Sequence, residues 1–178
     1  TQVNDVSASP DGQVYLLMQD GRVTSANAAF TFPTLSSGGR AIKLICDEHG
    51  MPWLLFDSGK LARWSIKGWE DIPFNGQSGD HTIIDLAIGT DGSVMAVSET
   101  HQLFTRSPVT KVWQPYQSGS TNQLQISHIA LDPFGLPWLL DSGGSIVAEQ
   151  PSVYASTDTA RKPALFTRLL NWVNAGPK

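Results

Sequence analysis

Four segments of this 178-residue chain repeat one pattern around a turn glycine, and this repeat restricts the possible folds more than any other feature. The glycines are spaced 38, 42 and 43 residues apart, and the segments around them align without gaps; they are Gly12, Gly50, Gly92 and Gly135. Each segment has the pattern of an alternating strand, a turn and a second strand. A period of about 40 residues indicates a repeat architecture in which each unit packs against its neighbours.

A second turn lies nine residues after each of these glycines, at Asp20-Gly21, Ser58-Gly59, Thr100-His101 and Gly143-Gly144. Asp-Gly and Gly-Gly pairs supply the positive φ angles that tight hairpin turns require. A short third strand is predicted after each second turn. Aromatic stretches set among Gly, Ser and Pro then predict exposed fourth strands, where an edge tolerates proline; they lie at 30–32, 69–72 and 113–116.

This order of strands and turns is typical of β-propeller blades. We therefore predict an all-β fold, a β-propeller or partial propeller of about four four-stranded blades, over residues 1–155. The approximate blades are 1–37, 38–79, 80–122 and 123–155. Four units fit a small ring and fit equally well a part of a larger one. In the remaining segment, 156–178, apolar residues spaced for one helical face predict a short C-terminal helix; they are Leu165, Phe166, Leu169, Leu170 and Val173.

The two faces of each predicted blade must be covered by neighbouring blades, because a four-stranded sheet cannot bury both faces alone. Apolar residues of the first strands are expected to fill the inner layer; they are Val6, Ala8, Leu44, Cys46, Leu86, Ile88, Ile129 and Leu131. Large residues three positions after the turn glycines are expected to wedge between blades; they are Tyr15, Trp53, Met95 and Trp138.

Composition argues against several classes of partner. The net charge is −4 and the pI is about 5.4, so the chain lacks the basic surface that nucleic-acid binding needs, and we predict no nucleic-acid partner. No apolar run approaches the ~20 residues of a membrane span, and the first residues do not resemble a signal peptide. Cys46 is the single cysteine, which excludes an intrachain disulfide and predicts a buried thiol. The sequence does not indicate the cellular compartment.

Catalytic motifs are weak. Ser142, in Asp141-Ser142-Gly143-Gly144, resembles the nucleophile segment of a chymotrypsin-like protease, but Ser58 occupies the equivalent turn of the second repeat, so we interpret both as turn residues. None of the histidines forms a metal-binding pattern; they are His49, His81, His101 and His128. We predict a non-enzymatic protein with no catalytic residues, no metal and no cofactor.

Two groups of residues are candidates for ligand binding. Seven residues before the turn glycines stand Asp5, Lys43, Asp85 and His128, at the start of the innermost strands. They either pair with one another or form a polar contact ring for a sugar, an ion or a peptide. The second group lies on third or fourth strands, where indole rings could stack on sugar or peptide or else wedge inside the core; it is Trp64, Trp69 and Trp113.

The third repeat resembles the tectonin β-propeller repeat in the segment 83–97, with its Asp91-Gly92 turn and the later Trp113. The first repeat is similar through Asp5-Val6, Asp11-Gly12, Tyr15 and Asp20-Gly21. The second and fourth depart from the pattern, since His49-Gly50 and Phe134-Gly135 replace Asp-Gly. The resemblance covers about residues 3–150. It implies a propeller that recognises bacterial surface sugars or other proteins.

The sequence thus favours a non-enzymatic recognition module, a protein-protein interaction scaffold within a larger protein that supplies additional blades or domains. Four irregular repeats without a shared polar pocket argue against four equivalent sugar sites. A tectonin-like carbohydrate-binding lectin is the alternative, and it predicts one similar pocket in each blade. A propeller module of a secreted bacterial virulence protein is a further alternative. The expected partner is a protein or a glycan.

Overall fold

Strands make up the regular structure of the residues that the computed structural model describes, which are 2–27, 30–35, 39–74, 81–116 and 124–148. Blade 1 contains β1 (Val3–Ala8), β2 (Val14–Met18), β3 (Val23–Ser25) and β4 (Thr31–Phe32). Blade 2 contains β5 (Ala41–Cys46), β6 (Pro52–Phe56), β7 (Leu61–Ser65) and β8 (Gly68–Ile72). Blade 3 contains β9 (Ile83–Ile88), β10 (Val94–Ser98), β11 (Leu103–Arg106) and β12 (Trp113–Pro115). Blade 4 contains β13 (Ile126–Leu131), β14 (Pro137–Asp141) and β15 (Ile146–Ala148).

Each blade is one antiparallel sheet in which the strands follow chain order, from β1-β2-β3-β4 to β13-β14-β15. This arrangement confirms the predicted all-β propeller of four blades. The position of a fourth strand in blade 4 and the predicted helix in 156–178 lie outside the described residues. No helix within the described ranges is long and apolar enough to cross a membrane.

The four turns that define the repeat have the same geometry. Each turn glycine has a φ between 75° and 85°, and its amide donates to the carbonyl three residues earlier at 2.9 to 3.1 Å. The second turns also need positive φ: Gly21, Gly59 and Gly144 have φ values of 81°, 78° and 86°, and His101 has 62°. The predicted second turn at Thr100-His101 is therefore present although it contains no glycine.

Neighbouring blades pack through two kinds of sheet face. The forward face consists of the residues three, five and eleven positions after the turn glycine, such as Trp53, Leu55 and Leu61 in blade 2. The rear face consists of the residues six before, two after and four after it, such as Leu86, Val94 and Ala96 in blade 3. Forward faces of blades 1, 2 and 3 bury the rear faces of blades 2, 3 and 4 in three apolar clusters. Blade-to-blade burial is therefore the core of this molecule.

Two predictions about that core are wrong at the outer blades. Val6 does not fill an inner layer but is 57% exposed, and Ala8 is exposed as well. Trp138 does not wedge between blades but is 49% exposed. The reason is the same for both ends. Within the described ranges no further blade covers the rear face of blade 1 or the forward face of blade 4.

Candidate functional site

Three of the four predicted first-strand residues lie together around one carboxylate. Asp85, at the beginning of β9, is 3% exposed and forms an ion pair with Lys43 of blade 2. Its Oδ2 accepts a hydrogen bond from the backbone N–H of Ile129 at 2.8 Å, and Nδ1 of His128 lies 3.4 Å from the same oxygen. A single buried side chain therefore contacts blades 2, 3 and 4.

Asp5, the fourth member of that group, acts at a different boundary. Its Oδ2 accepts a hydrogen bond from the N–H of Leu44 at 2.7 Å, while Ser7 Oγ accepts one from the N–H of Cys46 at 3.0 Å. Asp5 thus connects blade 1 to blade 2 as Asp85 connects blade 3 to blade 4. These contacts match the pairing interpretation of the group. A polar contact ring stays a prediction, with the exposed imidazole of His128 as its accessible member.

Trp113 is enclosed in the cluster between blades 2 and 3, where its relative exposure is 0%. Its ring lies 5.0 Å from that of Phe74, and its Nε1 has no hydrogen-bond partner among the described residues. Burial removes the open ring face that stacking on a sugar or peptide requires.

Trp64 and Trp69 are half-buried and meet edge to face with ring centroids 5.4 Å apart. Nε1 of Trp69 donates to the carbonyl of Pro33 at 2.7 Å, which fixes this ring against blade 1. Trp64 lines a cleft of about 230 Å³ between blades 1 and 2, together with Tyr15 and the exposed Phe30. Neither Tyr15 nor Phe30 stands out as a site residue in the sequence. Their contribution depends on the packing of two separate blades.

A second cleft, of about 340 Å³, lies between blades 2 and 3 and is organised by Asp47. Its Oδ1 accepts hydrogen bonds from the N–H groups of His49 and Met51 at 3.0 and 2.9 Å. Its Oδ2 accepts hydrogen bonds from Trp53 Nε1 at 3.1 Å and Arg63 Nε at 2.7 Å. Burial acts to raise the pKa of Asp47, but these hydrogen bonds and the charge of Arg63 outweigh it, and the pKa is lowered.

Arg106, on β11, also lines this second cleft. Its guanidinium carbon lies 5.7 Å from the centroid of the Trp53 ring, and that of Arg63 lies 5.9 Å from it. Arg106 was not among the residues predicted to bind a ligand. A signal was present, however, because Arg106 and Trp64 both stand five residues after the second-turn position of their repeats.

The Asp141-Ser142 segment forms a turn, as the repeat predicts. The N–H of Gly144 donates to the carbonyl of Asp141 at 3.0 Å, and the carboxylate of Asp141 accepts from the N–H of Ser145 at 2.8 Å. Ser142 Oγ lies 3.4 Å from Gln125 Oε1, so its contact is an amide rather than an imidazole. In the part of the chain that the structure describes, no group of three or more His, Cys, Asp or Glu side chains is arranged to hold a metal ion.

Several solved structures resemble this chain in fold at low sequence identity. YCF48 bound to D1 peptide has a TM-score of 0.58 and 18% identity, with 84% of this chain and 49% of that chain covered. Virginiamycin B lyase from Staphylococcus aureus has a TM-score of 0.59 and 14% identity, with coverages of 86% and 57%. The Cps50 (Swd1) propeller domain of Myceliophteria thermophila has a TM-score of 0.65 and 12% identity, with coverages of 88% and 54%.

These likenesses support the fold alone. The chain has a β-propeller fold. It spans about half the length of the solved propellers that it matches. No family model matches the sequence, and no curated protein matches it either. The similarity to tectonin repeats therefore stays a prediction.

Proposed function

We propose that this chain is a non-enzymatic protein-recognition module that belongs to a larger propeller. The observation that carries the proposal is the forward face of blade 4, which no other part of the described chain covers. It consists of apolar side chains whose equivalents in blade 2 are buried against another blade. An apolar face of this kind is typical of a surface that binds protein.

The equivalence between the two faces is residue for residue. In blade 2, Trp53 and Leu61 are 3% and 2% exposed because the rear face of blade 3 covers them. Trp138 and Ile146 occupy the same two positions in blade 4, where they are 49% and 71% exposed. The side chains have nearly the same shape in both places. Only the covering sheet differs.

The rear face of blade 1 is the counterpart of the forward face of blade 4, since it has the other kind of surface that blade packing joins. Val6 is exposed there, whereas its equivalent Leu44 is buried against blade 1. Every internal interface joins a forward face to a rear face, so the partner that fits Trp138 is the rear face of another propeller blade. The half-length match to larger propellers is consistent with additional blades. Among the neighbours, YCF48 is a propeller with a bound peptide, which supports polypeptide recognition by this fold.

Photo-crosslinking tests this proposal. A photoreactive phenylalanine derivative is placed at position 138 in the protein, in the cells that produce it. We expect crosslinks to a β-strand of another blade, identified by mass spectrometry. The same probe at Ile66, a fully exposed residue between β7 and β8, is the matched control and should give only background. Equal, scattered crosslinking from both positions would contradict the proposal.

Carbohydrate binding is the second candidate, and the cleft between blades 1 and 2 favours it. The exposed ring of Phe30 beside Tyr15 and Trp64 offers the aromatic surface on which a sugar ring can stack. A glycan array with the wild type and Phe30→Ala tests this: sugar binding that the substitution removes supports a lectin. The cleft between blades 2 and 3 has Arg106 where the cleft between blades 1 and 2 has Trp64, and this difference argues against repeated equivalent sugar sites.

A further inference from the structure

We propose that Arg106 forms a carboxylate-binding site in the cleft between blades 2 and 3. The ligand group is the carboxylate of an acidic side chain or of a polypeptide C-terminus. This site is separate from the uncovered face of blade 4 and extends the proposed function by giving the chemistry of one contact.

Arg106 is a partly buried cation that forms no ion pair with a carboxylate of the described residues. Its Nε is completely enclosed and has no hydrogen-bond partner among the described residues. In the same cleft Arg63 donates to Asp47 through Nε and Nη2, both at 2.7 Å. No described carboxylate makes the equivalent contact with Arg106. Because enclosed polar groups in proteins are almost always paired, the unpaired Nε–H leaves the guanidinium short of acceptors, and the cleft that Arg106 lines is where an acceptor can approach it.

The environment of Arg106 also favours an added negative charge. Burial lowers the pKa of Arg106, and the positive charge of Arg63 lowers it further. An arginine side chain nevertheless stays protonated at neutral pH. The charge is therefore held in an unfavourable environment, which an anion beside the guanidinium would relieve.

The other charges of the cleft disfavour a doubly charged group. Glu48 and Glu70 line the same cleft and repel a doubly charged phosphate more strongly than a carboxylate, while Asp47 is already paired with Arg63. Lys111 lines the same cleft and adds a further positive charge. A guanidinium matches the planar carboxylate with two parallel hydrogen bonds. The cleft volume of about 340 Å³ lies in the range of small-ligand sites, roughly 300–1,000 Å³.

Comparison of the cleft between blades 1 and 2 with the cleft between blades 2 and 3 supports a ligand-binding role for Arg106. Trp64 occupies the equivalent strand position in blade 2, where it packs against Phe32 with ring centroids 4.9 Å apart. The fold thus accepts a large aromatic side chain at this position between blades. Arg106 places a charge where the preceding blade has an apolar ring, and its described contact is the Trp53 ring rather than a carboxylate.

Nuclear magnetic resonance of arginine side chains tests the site directly. The Nε–H resonance of Arg106 is followed in the 178-residue protein during titration with three probes. The first is a short peptide with one Glu and an amidated C-terminus. The second is an uncharged peptide with a free C-terminal carboxylate. The third is inorganic phosphate, and acetamide serves as the uncharged control.

We expect a saturable shift of the Arg106 Nε–H with at least one carboxylate peptide and none with acetamide. A response to the first peptide assigns an acidic side chain as the source, and a response to the second alone assigns a chain terminus. No shift with either peptide overturns the proposal. Equal affinity for phosphate also overturns it, because the site would then be a general anion site.

Two substitutions sharpen the test. Arg106→Lys keeps the charge but removes the paired donors, and we expect about a tenfold or greater loss of peptide affinity. Arg106→Trp reproduces the residue of blade 2 and should abolish binding. Arg22→Lys, at an exposed arginine paired with Asp20, is the matched control and should bind normally. Crosslinking from position 138 does not involve this cleft, so the two proposals fail independently.

Discussion

The carboxylate of Asp85 in blade 3 accepts a hydrogen bond from the backbone N–H of Ile129 in blade 4 at 2.8 Å. The same carboxylate neutralises Lys43 of blade 2. Asp85 therefore stabilises the first strands of three successive blades at once. Because the group is buried, its loss leaves both a cation and a backbone donor without a partner.

Replacement of Asp85 by Asn should lower the free energy of unfolding by about 2–3 kcal/mol. The amide oxygen can still accept from Ile129, but it cannot neutralise Lys43. Urea denaturation followed by circular dichroism measures the loss. Asp71→Asn, at an exposed position of β8, is the control and should change stability by less than about 0.5 kcal/mol. Equal stability of the two variants would contradict the role assigned to Asp85.

Asp47 predicts a pH dependence of stability. Its pKa in the folded state lies below the ordinary value of 3.8, because hydrogen bonds and Arg63 outweigh burial. The stabilisation is therefore fully present above pH 3.8 and is lost as the pH falls through the lower folded pKa. Asp47→Asn should lower the free energy of unfolding by about 2–3 kcal/mol at pH 7. In strong acid the difference in this free energy between the variant and the wild type should become smaller. Urea denaturation between pH 2 and 7 measures this; a constant difference would exclude the linkage.

Trp53 and Trp138 should respond very differently to the same substitution. Trp53→Ala removes a ring buried between two blades and should cost about 3–5 kcal/mol. Trp138→Ala removes a ring that is half in solvent and should cost less than about 1 kcal/mol. Thermal unfolding of both variants measures the contrast. Similar losses would mean that the forward face of blade 4 is covered within the chain.

Alanine substitutions at Gly12 and Gly59 distinguish the stability cost of backbone strain from that of a steric clash. Both have positive φ, but a Cβ at Gly12 meets nothing within 4 Å, whereas at Gly59 it lies 2.7 Å from the backbone N of Ile83. Gly12→Ala should destabilise by about 1–2 kcal/mol, and Gly59→Ala should destabilise more. Denaturant midpoints of the two variants rank them, and the reverse order would contradict this account.

The sequence could predict the fold because its signals are local. Gly12 and Gly59 mark turns whose positive φ is a property of a few neighbouring residues. Even His101, which replaces a glycine at the second turn, could be placed by its constant offset. Burial is not local. Val6 and Leu44 look alike in sequence, and only the presence or absence of an adjoining blade separates their environments.

The candidate sites also divide into features that local sequence predicts and features that depend on a neighbouring blade. The alignment placed Asp5 and Asp85 at equivalent positions, and both accept hydrogen bonds from the next blade. Arg106 was missed because its defining property is that no described carboxylate contacts it, although Glu48 and Glu70 line the same cleft. No pattern within one repeat reveals such a lack, although comparison with Trp64 shows the exchange of an aromatic ring for a charge.

Blade-to-blade packing in this molecule is directional, since a forward face always meets a rear face. Any contact between two copies that continues this packing joins unlike surfaces and leaves one of each kind at the ends. Such head-to-tail association does not stop at a fixed number unless the accumulated rotation brings the ends together. Otherwise the copies would add one after another into a filament.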